Sequence, residues 1–355
     1  MKSSITMGKI SPLMDGARKL VVECARVKPD ERVLIITDTG RDLSVAYAFM
    51  QAAMEAEAEP VVVTMKQRDA PGEEPPPQVR EAMMTADVIL QATTTIMAYT
   101  AAKREACKTG ARFAAMTGMM PDIVTSPATT ETDFTAIRPL VEKLGELVSA
   151  AETARITTEK GTDLTMSLKG RKALICTSIL DTPGMLSGMP DLEVYAGPVE
   201  DSVNGVLYVD ATISTSGLVT DPDPVKLTIV QGRVESIEGG KDAQALITLL
   251  KNQHDPSVYQ VAELGIGLNP NAQLKGAIIE DEGALGTVHI AVGDNILMGG
   301  KNSAPVHIDM VMKNPTVYLD DKKILSAEGK TLQVIPDLYS LAQPYTASHW
   351  KIESL

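Results

Sequence analysis

The chain of 355 residues is poor in cysteine and in aromatic side chains, with three Cys, one Trp and three Phe. Cys24, Cys107 and Cys176 lie far apart in apolar surroundings, which predicts reduced core thiols and argues against disulfides or a zinc knuckle. Few aromatic rings are available to stack on bases, and the net charge of −13 opposes attraction to phosphate backbones. We therefore expect no nucleic-acid partner.

The sequence also lacks a long apolar run, since no stretch approaches the roughly 20 apolar residues that span a bilayer. The N-terminal segment MKSSITMGKISPLMDGARKL has no continuous apolar part after its charges, unlike a secretory signal peptide. These absences predict a cytoplasmic protein with no membrane partner. Hydrophobic residues make up 44% and charged residues 22%, as in globular proteins, and the length favours two domains over a single large α/β unit.

Four short apolar runs alternate with helical patterns in the first part of the chain. The runs are 33–37 (VLIIT), 61–64 (VVVT), 87–92 (DVILQA) and, more weakly, 112–116. Strands that alternate with helices favour a parallel, doubly wound sheet with right-handed crossovers. We predict a Rossmann-like α/β domain over residues 1–155.

The pattern changes after residue 155. Segments such as VNGVLYVDATIS, VKLTIVQGRVESIEG and PTVYLDDKKIL alternate polar and apolar residues between Gly or Asp turns, which is typical of antiparallel strands. One clear helical pattern lies at 241–253. We predict a β-rich α+β domain over residues 156–355, and the side chains described next make it the metal-binding, catalytic domain.

Common catalytic and nucleotide-binding motifs are missing. The first strand-to-helix turn, TDTGRDLS, has one glycine where a dinucleotide fingerprint has three, and no phosphate-loop Lys-Ser pair follows. The chain contains no GxSxG elbow and no cysteine in a recognisable nucleophile motif. Nucleotide binding and serine or cysteine hydrolase chemistry are therefore not indicated.

Histidine is scarce, and two of the four histidines have an unusual setting. His254 and His349 lie in polar contexts, whereas His289 and His307 lie within apolar, strand-like segments. A lone buried histidine is more often a hydrogen-bonded core residue than a metal ligand, so the neighbouring residues decide. In APVHIDMVM, His307 and Asp309 are two residues apart and point to the same face of an extended strand. This spacing places an imidazole beside a carboxylate.

Three glutamates extend this candidate metal site. Glu263 interrupts the apolar segment VAELGIGLN, where an unpaired buried carboxylate would be costly and a counter-cation explains its presence. Glu282, in EDEG, fits a solvated turn equally well, and Glu193, in MPDLEVYAGP, is ambiguous by itself. Two histidines and a carboxylate can hold iron, and further carboxylates suit zinc, cobalt or manganese.

The segments ELGIGLNPNA, DEGALGTVHIAVG and HIDMVM, in this order, resemble the aminopeptidase T family of metallopeptidases over roughly residues 190–320. The resemblance implies a homodimer and a metal site whose ligands all have counterparts in this chain. Those counterparts are Glu193, Glu263, Glu282, His289, His307 and Asp309.

Family peptidases also carry a tyrosine just after the His-containing strand, where this chain has Asp294, Asn295 and Ile296. A phenol there could donate a hydrogen bond to a developing oxyanion. We therefore expect weak aminopeptidase activity, unless Asn295 supplies a substitute donor.

The same fold also resembles 2,5-dihydroxypyridine 5,6-dioxygenase, a ring-cleaving enzyme with one iron, through the GLxPxAQ-like run and the HxD strand. That dioxygenase has a histidine at the position that matches Glu263. In a site of four carboxylates and two histidines, the carboxylates supply enough anionic oxygen to neutralise two divalent cations, which favours a two-metal hydrolase.

Our sequence-based hypothesis is hydrolysis of an amide or peptide bond, in a small molecule or short peptide, with two zinc, cobalt or manganese ions. Glu263 would bridge the metals, and Glu193 or Glu282 would act as general base. The alternative is a mononuclear iron(II) ring-cleaving dioxygenase.

Overall fold

The computed structural model describes residues 10–355. Residues 1–9, on which part of the signal-peptide argument depends, lie outside the described residues. The chain forms two compact units, one made of Met1–Phe134 with Cys176–Asp191 and one made of Thr135–Ile175 with Leu192–Leu355. The domain boundary near residue 155 stays a prediction. No helix within residues 10–355 is long and apolar enough to cross a membrane.

In chain order, the strands of residues 10–355 are β1 (Arg32–Asp38), β2 (Glu59–Met65), β3 (Val88–Ala92), β4 (Arg112–Ala115), β5 (Thr153–Thr157), β6 (Asp163–Ser167), β7 (Leu174–Cys176), β8 (Leu186–Gly188), β9 (Glu193–Ala196), β10 (Asn204–Val209), β11 (Thr212–Ile213), β12 (Gly217–Leu218), β13 (Val225–Val230), β14 (Arg233–Glu238), β15 (Val261–Gly267), β16 (Thr287–Gly293), β17 (His307–Lys313), β18 (Thr316–Leu319), β19 (Lys322–Glu328), β20 (Thr331–Val334) and β21 (Lys351–Ser354).

The α-helices of the same residues are α1 (Met14–Arg18), α2 (Leu43–Glu55), α3 (Pro77–Thr85), α4 (Ala101–Lys108), α5 (Pro121–Val124), α6 (Pro127–Thr130), α7 (Phe134–Ala150), α8 (Lys241–Asn252), α9 (Ile278–Asp281) and α10 (Pro336–Tyr339). A π-helix covers Lys19–Cys24, and 3-10 turns cover Ser11–Leu13, Pro256–Tyr259, Ile296–Met298 and Gln343–Ser348.

The first unit contains a sheet with the strand order β2-β1-β3-β4-β8, in which every neighbouring pair is parallel. After its first residue β1 is buried throughout, as expected for a parallel strand that is covered on both faces. Helix α2 begins after Asp42, whose side chain accepts a hydrogen bond from the Ser44 amide. Ile89, Phe113 and Met83 belong to one hydrophobic core on this sheet. The predicted parallel α/β region is confirmed.

The second unit contains two sheets, with the orders β14-β13-β10-β6-β5-β18-β19-β20-β21 and β12-β11-β17-β16-β15-β9-β7. From β11 to β9, neighbouring strands of the seven-stranded sheet pair antiparallel. Strands β15 and β16, at the centre of that sheet, are buried at every residue. The predicted β-rich region is confirmed, and the candidate site lies on the seven-stranded sheet.

Candidate metal centre

Two adjacent strands of the seven-stranded sheet place a histidine each on the same face. His307 and Asp309 lie two residues apart on β17, so their side chains point to one side. In the antiparallel register Asp309 pairs with Ala291 of β16, and His289 lies two residues before Ala291. Residues that face each other across an antiparallel pair share a face, so His289 joins the other two side chains.

The next two strands add two glutamates to this face. Ala291 also pairs with Glu263 of β15, and Gly267 of the same strand pairs with Glu193 of β9. The face therefore carries side chains from the neighbouring strands β17, β16, β15 and β9. We refer to the following residues as the ligand cluster: Glu193, Glu263, His289, His307 and Asp309.

Carboxylates and imidazoles alternate within the ligand cluster. Glu193 Oε2 lies 3.4 Å from His289 Nε2, and the same nitrogen lies 3.3 Å from Glu263 Oε1. The other oxygen of Glu263 lies 3.0 Å from His307 Nε2, which is 3.2 Å from Asp309 Oδ1. These side chains form two groups of possible metal ligands. One group contains Glu193, Glu263 and His289, and the other contains Glu263, His307 and Asp309. Within each group the possible ligand atoms lie within 4.8 Å of one another. Glu263 belongs to both groups.

A glycine opposite His289 makes room for the imidazole ring. Gly265 pairs with His289, and a Cβ at position 265 would lie 2.0 Å from His289 Nε2. The ring therefore lies against the backbone of β15, in space that any side chain would fill. Sequence reasoning missed Gly265, although a glycine inside a strand pattern is a recognised sign of close approach.

The ligand cluster has little access to water. Glu263 and Glu193 are 5% and 8% exposed, and His289 is 1% exposed. Burial raises the pKa of Glu263, but hydrogen bonds from His289 and His307 outweigh it and lower the pKa to about 2. Burial lowers the pKa of His307, but Asp309 and Glu263 raise it well above its ordinary value. This donor set fits a divalent cation, because carboxylate oxygen and imidazole nitrogen are its common protein ligands and a cation offsets the charge of withdrawn carboxylates.

Hydrogen bonds to neighbouring loops also hold His307 and Asp309 in position. His307 Nδ1 donates a hydrogen bond of 2.7 Å to the carbonyl of Asp294, so its Nε2 faces the carboxylates. The Asp309 amide donates to Ser214 Oγ at 3.0 Å, and the Ser214 amide donates to the Asp309 carbonyl at 2.9 Å. Sequence reasoning missed Asp294 and Ser214 as supports, because they act through contacts that no local pattern encodes.

The remaining predicted ligand, Glu282, belongs to neither group of possible ligands found in residues 10–355. It follows α9 and is half-buried. Its neighbour Asp281 is fully buried and holds a loop in place. The Asp281 carboxylate accepts hydrogen bonds from the amides of Lys275 and Gly276 and from the hydroxyl of Thr212.

Asn295, the proposed substitute for the missing tyrosine, is fully buried. Its Oδ1 accepts a hydrogen bond of 2.9 Å from the Asn302 amide, and its Nδ2 donates to Glu200 Oε1 at 3.4 Å. The side-chain amide is therefore engaged within the loop that follows β16.

A parallel α/β region, a β-rich region and a cluster of carboxylates and imidazoles together indicate a metal-dependent enzyme. The chain belongs to the 2,5-dihydroxypyridine 5,6-dioxygenase (NicX) family, whose model matches residues 14–333. The match includes every residue of the ligand cluster.

Individual relatives agree with this assignment. A 2,5-dihydroxypyridine 5,6-dioxygenase from Pseudomonas putida is 26% identical over 263 residues, which are 70% of this chain and 72% of the relative. A solved structure of the Pseudomonas putida 2,5-dihydroxypyridine dioxygenase is similar with a TM-score of 0.75 and 22% identity, over 88% of this chain and 94% of the other. AmpT from Thermus thermophilus is similar with a TM-score of 0.62 and 16% identity, over 89% and 98% of the two chains.

The predicted metallohydrolase activity is wrong, because both the family model and the curated relative are dioxygenases. The classification as a hydrolase, a metalloprotease or an aminopeptidase is wrong for the same reason, and the resemblance to aminopeptidase T is one of fold. The hydrolase hypothesis depended on the total negative charge of four carboxylates, which would neutralise two divalent metal ions. The structure brings three of them together and alternates them with two imidazoles, so the count of carboxylates did not decide the chemistry.

Proposed function

We propose that this chain is a metal-dependent, ring-cleaving dioxygenase that acts on a dihydroxylated pyridine or a closely related N-heteroaromatic compound. The observation that carries the proposal is the family match over residues 14–333, which spans the whole ligand cluster. The relatives named above supply the substrate class, since both are named for 2,5-dihydroxypyridine.

Glu263, His307 and Asp309 are the residues we propose for holding iron(II). Their possible ligand atoms lie within 4.8 Å of one another, and they supply one imidazole and two carboxylates, where the common iron(II) set has two imidazoles and one carboxylate. When bound, iron(II) would supply the redox chemistry by which molecular oxygen reacts. Glu263 is a departure from the histidine of the resembled dioxygenase, so the carboxylate adds negative charge at this position.

His289 and Glu193 are proposed to handle the proton of a substrate hydroxyl. His289 Nε2 forms a hydrogen bond of 3.3 Å with Glu263 Oε1 and lies 3.4 Å from Glu193 Oε2, so the negative charge of both carboxylates favours a proton at this nitrogen. A ring hydroxyl that reaches the Glu193 carboxylate could give up its proton there, and the imidazole of His289 would hold that carboxylate in its charged form before the transfer. With 1% of His289 exposed, few water molecules compete for that proton.

Oxygen dependence tests the proposal. We expect protein loaded with iron(II) to consume 2,5-dihydroxypyridine together with one equivalent of oxygen, with loss of the ultraviolet absorbance of the ring. Oxygen uptake at an electrode and absorbance, recorded in the same reaction, measure the stoichiometry.

Two controls complete the experiment. Protein loaded with zinc should bind the substrate without consuming oxygen, because zinc has no redox chemistry. Asp309→Ala should lose both iron and turnover. Turnover that continues under strict anaerobiosis, or absence of turnover by the iron-loaded protein across a panel of dihydroxypyridines, would overturn the proposal.

A further inference from the structure

The loop between β16 and β17 carries the backbone carbonyl that orients His307. His307 Nδ1 donates to the Asp294 carbonyl at 2.7 Å. The carboxylate of Asp294 folds back on the same loop, because its Oδ1 accepts from the Ile296 amide and its Oδ2 from the Ala304 amide, both at 3.2 Å. The position of this carbonyl therefore depends on the conformation of the loop.

A charged pair from elsewhere in the chain holds the loop. The Lys301 amide donates to Glu200 Oε1 at 2.7 Å, and Asn295 Nδ2 donates to the same oxygen at 3.4 Å. Arg171 Nη2 donates to Glu200 Oε2 at 2.6 Å, and Arg171 Nη1 donates to the Gly299 carbonyl. The ion pair thus bonds to three residues of the loop.

The interior of the loop has no spare space. Asn295 is fully buried, and a Cβ at position 300 would lie 2.0 Å from Asn295 Oδ1, so Gly300 is required for this arrangement. Asn302 Nδ2 donates to the Gly293 carbonyl at 2.6 Å and joins the loop to the end of β16. A change in the ion pair would therefore reach the Asp294 carbonyl through hydrogen bonds and close packing.

We propose that Glu200, paired with Arg171, is a positioning residue for metal binding. It fixes the loop so that the Asp294 carbonyl continues to accept the hydrogen bond from His307 Nδ1. His307 Nε2 then stays directed at Glu263 and Asp309. The inference rests on the metal-binding role of His307 in the proposed function. Residues that orient a ligand in this way typically contribute about 10–100-fold to metal affinity.

A purely structural ion pair of the same kind serves as the matched control. Arg112 and Glu31, in the other unit, have side chains that are 7% and 22% exposed, against 10% and 22% for Arg171 and Glu200. Arg112 also donates to backbone carbonyls, those of Ala25 and Arg26. Both pairs therefore resemble each other in burial and bonding, and only the Glu200 pair is bonded to the loop that orients His307.

Cobalt(II) affinity of the full-length, metal-free protein tests the proposal without reference to turnover. Isothermal titration should show that Glu200→Ala binds cobalt(II) about tenfold or more weakly than the wild type. Glu200→Gln should lose less, because its side-chain oxygen still accepts from the Lys301 amide. Glu31→Ala should keep the wild-type affinity while losing a similar amount of thermal stability.

Nitrogen-15 labelling of histidine gives a second readout, since the chain has four histidines. In the metal-free wild type, we expect a slowly exchanging Nδ1 proton on His307 that is lost in Glu200→Ala and kept in Glu31→Ala. Gly300→Ala disturbs the same loop without removing the charge, and it replaces Glu200→Ala in both measurements if that variant does not fold.

Wild-type cobalt(II) affinity and an unchanged His307 signal in folded Glu200→Ala would overturn the positioning role and leave the proposed function standing. A wild-type protein that binds no cobalt(II) would overturn the metal centre itself, and the inference with it.

Discussion

At the scale of single residues, the ligand cluster depends on a position that has no side chain. Gly265 lies opposite His289, and its missing Cβ is the space in which the imidazole lies. The two other glycines on this face, Gly267 and Gly293, lie opposite Glu193 and His307. Glycines opposite His289, Glu193 and His307 therefore help to determine how these side chains are placed on the sheet.

Gly265→Ala is expected to displace the His289 ring, because the new methyl group would lie 2.0 Å from Nε2 and 2.1 Å from Cε1. Cobalt(II) affinity, measured by titration, should fall about tenfold or more, because the displaced ring no longer holds the proposed ligand Glu263 through its 3.3 Å contact. Gly329→Ala is the control, since Gly329 has a φ of 55° and a Cβ added there would meet no atom within 4 Å. It should cost about 1–2 kcal/mol of stability, because an alanine is strained in the left-handed conformation, and it should leave metal affinity unchanged. Equal affinity of Gly265→Ala and wild type would show that the contact of His289 with Glu263 does not affect metal binding.

The sequence could predict which residues share a face only within one strand. His307 and Asp309 follow from alternation along a single apolar run, and His289 and Glu263 were recognised by their apolar settings. That Glu263 lies between both imidazoles depends on the register of β15 against β16 and of β16 against β17. Register is a long-range property, and no local pattern in this chain encodes it.

At the scale of elements, the longest and most apolar strands were the easiest to predict. The runs 33–37 and 61–64 fall within β1 and β2, and the run 87–92 begins one residue before β3 and ends with it. Strand β8 was missed because it has only three residues, Leu186–Gly188. It pairs with β4, which lies about 70 residues earlier in the sequence. Short strands that pair far along the chain carry too little periodicity to be recognised.

The loop before α9 shows how a buried carboxylate can serve structure alone. Asp281 accepts hydrogen bonds from two amides and the Thr212 hydroxyl at 2.6–3.0 Å. We expect Asp281→Asn to lower the free energy of unfolding by about 1–3 kcal/mol in urea denaturation, because a buried, charged acceptor is lost.

Asp242 offers a matched comparison for this prediction, since it also accepts from two amides and a threonine hydroxyl but is half-buried. Asp242→Asn should cost less, because water can replace part of what is lost. A smaller cost at position 281 than at position 242 would contradict the role assigned to burial.

At the scale of the whole molecule, similarity along most of the chain identified the family. Ligand types suggested a metal centre, but the same histidines and carboxylates suit both hydrolysis and oxygenation. The charge count favoured hydrolysis, and the match over residues 14–333 overturned it. Residue chemistry therefore limited the class of cofactor more closely than the class of reaction.

Metal binding should stabilise the folded chain, because the ligand cluster exists only when β9, β15, β16 and β17 are paired. A cation present at about 100 times its dissociation constant should add about 2.7 kcal/mol to the free energy of unfolding. Calorimetry with cobalt(II), compared with EDTA, should show a rise of several degrees in Tm. Asp309→Ala should show a much smaller rise, and an equal rise in this variant would place the stabilising ion elsewhere.

The central place of Glu263 has a consequence for how this sheet could change its chemistry. Its two oxygens contact both imidazoles, and it belongs to both groups of possible ligands. An ion drawn toward His307 and Asp309 competes for the same carboxylate that completes the group of Glu193 and His289. A substitution at position 263 therefore changes both groups at once, and with them both the proposed ion preference and the proposed proton handling.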